Sequence, residues 1–270
     1  MEISNKTIVV TGAGSGIGRE LTFQLLKKGA RIAAVDLNEK TLEETIQLAG
    51  ENYKDRVSKH VLCITEKAKV ELLPEEVIKA HGSIDGIINN AGIIQPFIKI
   101  NDLSYETINR VIDVDLFGPL YMTKTFLPHL LKRPEAHIVN ISSMGGFLPV
   151  PGQSIYGAAK SGVKLMSEGL AAELIDTNVH VTVVFPGGVE TNIMTNSGID
   201  PDKIKQMDAM KEKSKALSPQ KAAETIIKGM EKNKVRVYVG KDSKMMNLFY
   251  RIGPNSATKI IAKQMKFLLD

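Results

Sequence analysis

The chain carries one cysteine, no membrane-length apolar run and no clustered metal ligands, and each shortage excludes something. A single cysteine, Cys63, in 270 residues rules out an internal disulfide framework and any cysteine-built metal cluster. No apolar stretch reaches the roughly 20 residues of a membrane span. The start, Met1-Glu2-Ile3-Ser4-Asn5-Lys6, has neither the basic opening nor the apolar core of a secretory signal. A soluble, cytoplasmic protein is therefore expected. His, Cys, Asp and Glu nowhere gather at metal-ligand spacing, so no metal site is expected; internal repeats and low-complexity tracts are absent too. The net charge of +5 is mild and many of the lysines follow residue 200, which gives no argument for nucleic acid. Hydrophobic residues make up 43% of the chain, an ordinary globular share, and the length is ample for a buried core.

What is there centres on Ser142 to Lys160. An apolar strand, His137 to Ile141, runs into two serines; a Gly/Pro-rich loop follows; a helix opens near Ser154 and continues to about Asp176. Tyr156 and Lys160 stand four positions apart and share one face of that helix. Ser143 stands thirteen before the tyrosine, at the strand end. A hydroxyl, a phenol and an ammonium can therefore converge, and the chemistry that wants them is proton transfer at an alcohol or carbonyl oxygen. A phenol titrates near pH 10, about three units too high for such work, a gap of about 4 kcal/mol. One cation at about 4 Å supplies that much at an effective dielectric of about 20. Lys160 is placed to be the cation, and Ser143 to hold the substrate oxygen.

Near the N-terminus, a buried β-branched strand from Lys6 to Thr11 meets Gly12-Ala13-Gly14-Ser15-Gly16-Ile17-Gly18, then a helical pattern closed by Gly29. Strand, glycine turn and helix N-terminus make a phosphate site. The turn is neither G-x-G-x-x-G, since Ile17 stands at the last glycine's place, nor a Walker loop. A second strand, Arg31 to Val35, ends at Asp36, eighteen residues after Gly18. A carboxylate there accepts from ribose hydroxyls and repels a 2′-phosphate, which favours NAD over NADP.

These marks resemble the short-chain dehydrogenase/reductase family. They are Thr11-Gly12-x-x-x-Gly16-x-Gly18; Asn89-Asn90-Ala91-Gly92 after the strand Ile84 to Ile88; Ser143; Tyr156-x-x-x-Lys160; and Pro186-Gly187 after the strand Val179 to Phe185, completed by Thr191. They run in family order and at family spacing from residue 6 to about 191. The resemblance implies an α/β fold: one doubly wound Rossmann-type domain over 1–240, with a parallel sheet of about seven strands and helices on both faces, then a helical tail over 241–270. It implies NAD, its pyrophosphate on Gly12, Ser15, Gly16, Ile17 and Gly18. Asn90, Ala91 and Gly92 would lie by the adenosine half. Lys160 would also reach the nicotinamide ribose, and Pro186, Gly187, Val189 and Thr191 would hold the carboxamide.

Two positions depart from the family pattern. Cys63-Ile64 stands where an aspartate usually contacts the adenine, and Cys63 is expected to be a small buried residue on a strand His60 to Thr65. Asp115 stands where the family has an asparagine that kinks the Leu103 to Leu131 helix and binds a relay water. A carboxylate there would oppose Lys160 at Tyr156, by roughly half of the 4 kcal/mol at twice the distance. Protonation by burial or exposure to solvent would each remove that effect.

Glu66 to His81 reads as a short charged helix; the resemblance implies a substrate lid over about 190–216, in which Met194, Met207 and Met210 would be adaptable lining. Small residues on the Ser154 helix, among them Gly162 and Gly169, imply a homodimer or homotetramer. The tail, split at Gly253-Pro254, is basic and apolar; packing on the domain or across a dimer is the expectation, ahead of contact with an anionic membrane. The function expected is an NAD-dependent oxidoreductase acting on a small-molecule secondary alcohol or ketone, an apolar one. The alternatives are a dinucleotide-binding sensor or scaffold without turnover and an NAD-dependent epimerase or dehydratase.

Overall fold

The computed structural model describes residues 1–202, 204–205, 216–266 and 269. Its seven strands are β1 (Thr7–Thr11), β2 (Arg31–Asp36), β3 (Val57–Val61), β4 (Gly86–Asn89), β5 (Ala136–Ile141), β6 (Val179–Pro186) and β7 (Arg236–Val239). They form one sheet in the order β3-β2-β1-β4-β5-β6-β7, each pair parallel. Parallel neighbours need crossovers, and these cover both faces. The helices are α1 (Gly16–Lys27), α2 (Glu39–Ala49), α3 (Lys67–His81), α4 (Tyr105–Ile112), α5 (Gly118–Leu130), α6 (Ser154–Glu173), α7 (Ile193–Asn196), α8 (Pro219–Glu231), α9 (Lys241–Ile252) and α10 (Pro254–Gln264).

The alternation of strand side chains divides the core. Ile8 and Val10 of β1 meet Leu21 and Leu25 of α1, Leu42 of α2 and Ile226 of α8 on one face. Val9, between them, meets the opposite layer, with Val70 and Leu73 of α3, Phe126 of α5 and Leu170 of α6. Strand order turns back between β1 and β4, which opens a crevice at the C-terminal ends of the strands.

Two local expectations differ from the structure, and the kink at Asp115 takes a definite form. β3 lies earlier than read, because it pairs with β2 from Ile32↔Val57 to Asp36↔Val61 and ends where β2 ends; Leu62 to Thr65 then leave the sheet as a loop. α3 is not short: Val70, Leu73 and Val77 bury one face through fifteen residues, until Gly82 stops it in a left-handed conformation. The Leu103 to Leu131 helix is interrupted, with a π-helical turn over Asp113–Phe117. The Gly118 N–H donates to the Asp113 carbonyl, five residues back. Pro119 has no N–H to offer the Asp115 carbonyl, so the α-helical ladder cannot continue there. The tail does pack on the domain: Phe249 and Tyr250 of α9 and Ala257 and Ile261 of α10 enclose Phe147 and Leu148. Met207 and Met210 of the expected lid lie outside the described residues.

His137 gives the fold a pH dependence. Its Nε2 lies 2.8 Å from the Thr182 hydroxyl, which itself donates to the Lys234 carbonyl at 2.6 Å, so the neutral ring must be the donor. Burial, then repulsion from His180 and the N-terminal amine, lowers its pKa to about 3. An unfolded histidine titrates near 6.5, so the neutral ring's contribution is complete above about pH 6.5 and is lost as pH falls toward 3. We predict that urea midpoints decline below about pH 6.5, approaching about 1.4 kcal/mol per pH unit from this group. His137→Leu should flatten the decline; parallel profiles would contradict this.

Candidate active site

The crevice is a cavity of about 1080 Å³, floored by the strand ends and walled by the loops that follow them. The glycine turn forms one wall. Gly12 (φ 67°) and Gly16 (φ 52°) are left-handed, and Gly18 lies beneath the wall, where any Cβ would overlap the Gly12 carbonyl oxygen. Ser15 is the N-cap of α1 but makes no side-chain cap bond, so the first N–H groups of the helix are left for an anion. Asp36 reaches in from the end of β2. Its Oδ2 accepts from the Gly14 N–H at 2.8 Å and its Oδ1 from the Asn38 N–H at 2.9 Å, which fixes the carboxylate.

Thr11 positions the segment after β4. Its hydroxyl accepts from the backbone of Asn90 at 2.9 Å and of Ala91 at 3.0 Å, and Asn90 Nδ2 donates back to the Thr11 carbonyl. Pro186, Gly187, Val189 and Thr191 line the far end after β6. Every sequence-derived site residue therefore borders this one cavity except Gly18 and Asp115, which lie just behind its wall. Cys63 is partly exposed rather than buried, because the strand has already ended; its Sγ lies 3.0 Å from the Thr65 hydroxyl.

Ser143 and Tyr156 face the cavity, and the Lys160 Nζ sits 5.8 Å from the centre of the phenol ring. The Ser143 hydroxyl is oriented by the Gly145 N–H at 3.0 Å. Lys160 is held by the Ile141 carbonyl at 3.3 Å and by Asp115 Oδ1 at 3.1 Å. Asp115 Oδ1 also accepts from the Ile93 N–H at 3.1 Å, while its Oδ2 is sealed with no partner among the described residues. Asp115 is 0% exposed, so its charge is not screened by water. The carbon-free face of Gly92 makes room for this pair: a Cβ there would stand 2.7 Å from Asp115 Oδ1.

The electrostatics differ from the simple lysine-over-tyrosine expectation. Burial raises the Asp115 pKa, against the pull of Lys160 and the Ile93 N–H. Burial, the largest single influence, works to lower Lys160, but Asp115 and Tyr156 together outweigh it and its pKa lies above the ordinary lysine value. For Tyr156, burial raises the pKa, Lys160 lowers it, Asp115 raises it again and Ser143 lowers it; the sum lies above the ordinary phenol value.

The sequence reading missed two features. Gln95, 1% exposed, caps α6 from sixty residues away. Its Oε1 accepts from the N–H groups of Ile155 at 2.8 Å and of Tyr156 at 3.0 Å, and its Nε2 donates to the Gly152 carbonyl. A lone glutamine in a loop carries no spacing that would reveal this. Asn196 of α7 crosses the opening to donate to the Ser15 hydroxyl at 3.1 Å, joining the far wall to the glycine turn.

The short chain dehydrogenase family model matches residues 6–202. SadH of Mycobacterium tuberculosis, named as an oxidoreductase, is 37% identical over 261 residues, covering 95% of this chain and 94% of that one. A short chain dehydrogenase/reductase from Burkholderia phymatum, solved with NAD, superposes with a TM-score of 0.81 at 24% identity, over 90% of this chain and 91% of that one, a likeness of fold. Serine dehydrogenase with NADP⁺ superposes at 0.75 with 28% identity, over 82% and 87% of the two chains.

Gln95→Leu should leave two helix N–H groups buried without an acceptor, at a cost of about 1–3 kcal/mol. Gln95→Glu keeps the acceptor and should retain more of that stability. Urea midpoints of the two variants test this; equal losses would contradict the capping role.

Proposed function

The chain belongs to the short-chain dehydrogenase/reductase family, and on that premise we propose that it is an NAD-dependent oxidoreductase acting on a secondary alcohol or ketone. The observation that carries the reading is the convergence of Ser143, Tyr156 and Lys160 on the cavity that the glycine turn opens. The residues present fit a dinucleotide. Gly12 and Gly16 hold the left-handed turn that borders the cavity, and α1 begins there with its first N–H groups uncapped by a side chain. Asp36, held by two backbone N–H groups, supports NAD over NADP, since a fixed carboxylate accepts from hydroxyls and repels a phosphate. When bound, the nicotinamide supplies the hydride acceptor or donor.

In this reading Tyr156 takes the hydroxyl proton of the alcohol during oxidation and returns it to the carbonyl oxygen during reduction. Ser143 donates to the substrate oxygen and orients it. Lys160 opposes the raised phenol pKa and reaches the nicotinamide ribose. Asn90, Ala91 and Gly92 border the adenosine half, and Pro186, Gly187, Val189 and Thr191 the carboxamide. Asp115 acts through Lys160 as a positioning residue. Ile93, Ile94 and Ile193 border the same cavity and favour an apolar substrate. The intact Ser-Tyr-Lys set favours turnover over a sensor that only binds the dinucleotide. Leu165, 69% exposed on α6, favours a homodimer.

Reduced-nicotinamide fluorescence should show NADH binding at least about tenfold tighter than NADPH, a difference of about 1.4 kcal/mol. In a dehydrogenase screen over sterols, retinoids, acyl-chain alcohols, polyols and sugars, Tyr156→Phe should bind NADH normally and lose nearly all turnover. Equal affinities would remove the cofactor assignment, and an active Tyr156→Phe protein would remove the acid/base assignment.

A further inference from the structure

We propose that the outer face of the C-terminal helix pair docks the protein on an anionic lipid bilayer. The inner faces of α9 and α10 are used up on the domain, where Phe249, Tyr250, Ala257 and Ile261 pack around Phe147 and Leu148. The outer face of α9 nevertheless carries a second apolar stripe. Met245, Leu248 and Ile252, spaced by three and then four residues, are 64%, 61% and 78% exposed. On α10, Ile260 is exposed as well.

The charge around this stripe has one sign. Lys241, Lys244, Arg251, Lys259, Lys263 and Lys266 are all exposed. Among the described residues none of the six forms an ion pair, although lysines elsewhere pair with nearby acids, as Lys59, Lys164 and Lys228 do. The single acid between residues 241 and 266 is Asp242, and it turns inward to accept the Gly188 N–H at 2.8 Å.

An exposed apolar stripe flanked on its own helix by Lys241, Lys244 and Arg251 fits the boundary of an anionic bilayer. The stripe enters the acyl region while the lysine and arginine stems extend to the headgroups. A second copy fits less well, because a two-fold contact through this face would set cations against cations. The face is also rigidly mounted. Ser243 donates to the Phe185 carbonyl at 2.7 Å and Asp242 holds Gly188, so α9 is fixed both to β6 and to the loop after it that walls the cavity. No helix among the described residues is long and apolar enough to cross a membrane, so this is surface contact.

The test is co-sedimentation of the full chain with vesicles of phosphatidylcholine alone or mixed with phosphatidylglycerol. Binding to the mixed vesicles should be about tenfold stronger or more, and should weaken steeply with added salt. Leu248→Glu with Ile252→Glu should abolish it, and Lys244→Glu with Arg251→Glu should reduce it by about tenfold. All four positions are exposed, so unchanged melting and NADH binding in the variants will show that the fold persists. No binding to the mixed vesicles, equal binding to both kinds, or wild-type binding by the variants would overturn the proposal. So would a fall in native mass of the Leu248→Glu variant without lipid, which would assign the face to a second copy.

Discussion

The arrangement of the cavity depends on an ammonium and a carboxylate sealed together, Lys160 and Asp115, 3.1 Å apart and each at most 5% exposed. Four segments that are distant in sequence meet at this contact. Lys160 comes from α6 and Asp115 from the π-helical turn; the Ile93 N–H comes from the loop after β4 and the Ile141 carbonyl from the end of β5. Removing one member of such a pair leaves a buried charge uncompensated, typically at about 3–5 kcal/mol. The pair therefore fixes Lys160 beneath the phenol, and it is the reason that Gly92 has no room for a Cβ.

The same contact sets the chemistry. The positive charge of Lys160 favours the phenolate of Tyr156, but burial and the Asp115 carboxylate both oppose it, and the phenol stays above its ordinary pKa. With an asparagine in that place the opposing charge would be missing. In the proposed reaction, Tyr156 thus gives up its proton less readily than the Ser-Tyr-Lys spacing alone suggests. Asp115 is neither solvated nor turned away: it is 0% exposed and bonded to the lysine itself, so burial, which raises its pKa, is opposed by the ammonium that favours its charged form.

The sheet and the cavity were legible in the sequence because their signals are local. A β-branched run stopped by glycine marked β1, and a short apolar run ending at Asp36 marked β2. The four-residue step from Tyr156 to Lys160 placed both on one face of α6, and the Asp115 anomaly pointed to a contact with Lys160. What was not legible depends on distant partners. The position of β3 follows from its register with β2, which exposes Cys63 to the cavity instead of burying it. The cap on α6 comes from Gln95, in a loop with no pattern of its own. The basic, apolar pattern of the tail was visible, but only packing shows that it has two apolar faces, one spent on Leu148 and its neighbours and one left outward.

If Asp115 acts electrostatically on Tyr156 beside the shared lysine, the pH profile of kcat/KM for alcohol oxidation in wild type and Asp115→Asn reads that action most directly. The amide can still accept from the Ile93 N–H and from Lys160, so the geometry is kept while the negative charge is removed. The apparent pKa at which oxidation rises should then fall, by about a few tenths of a unit or more. Overlapping profiles, or a shift to higher pH in a variant that still folds and binds NADH, would contradict the account.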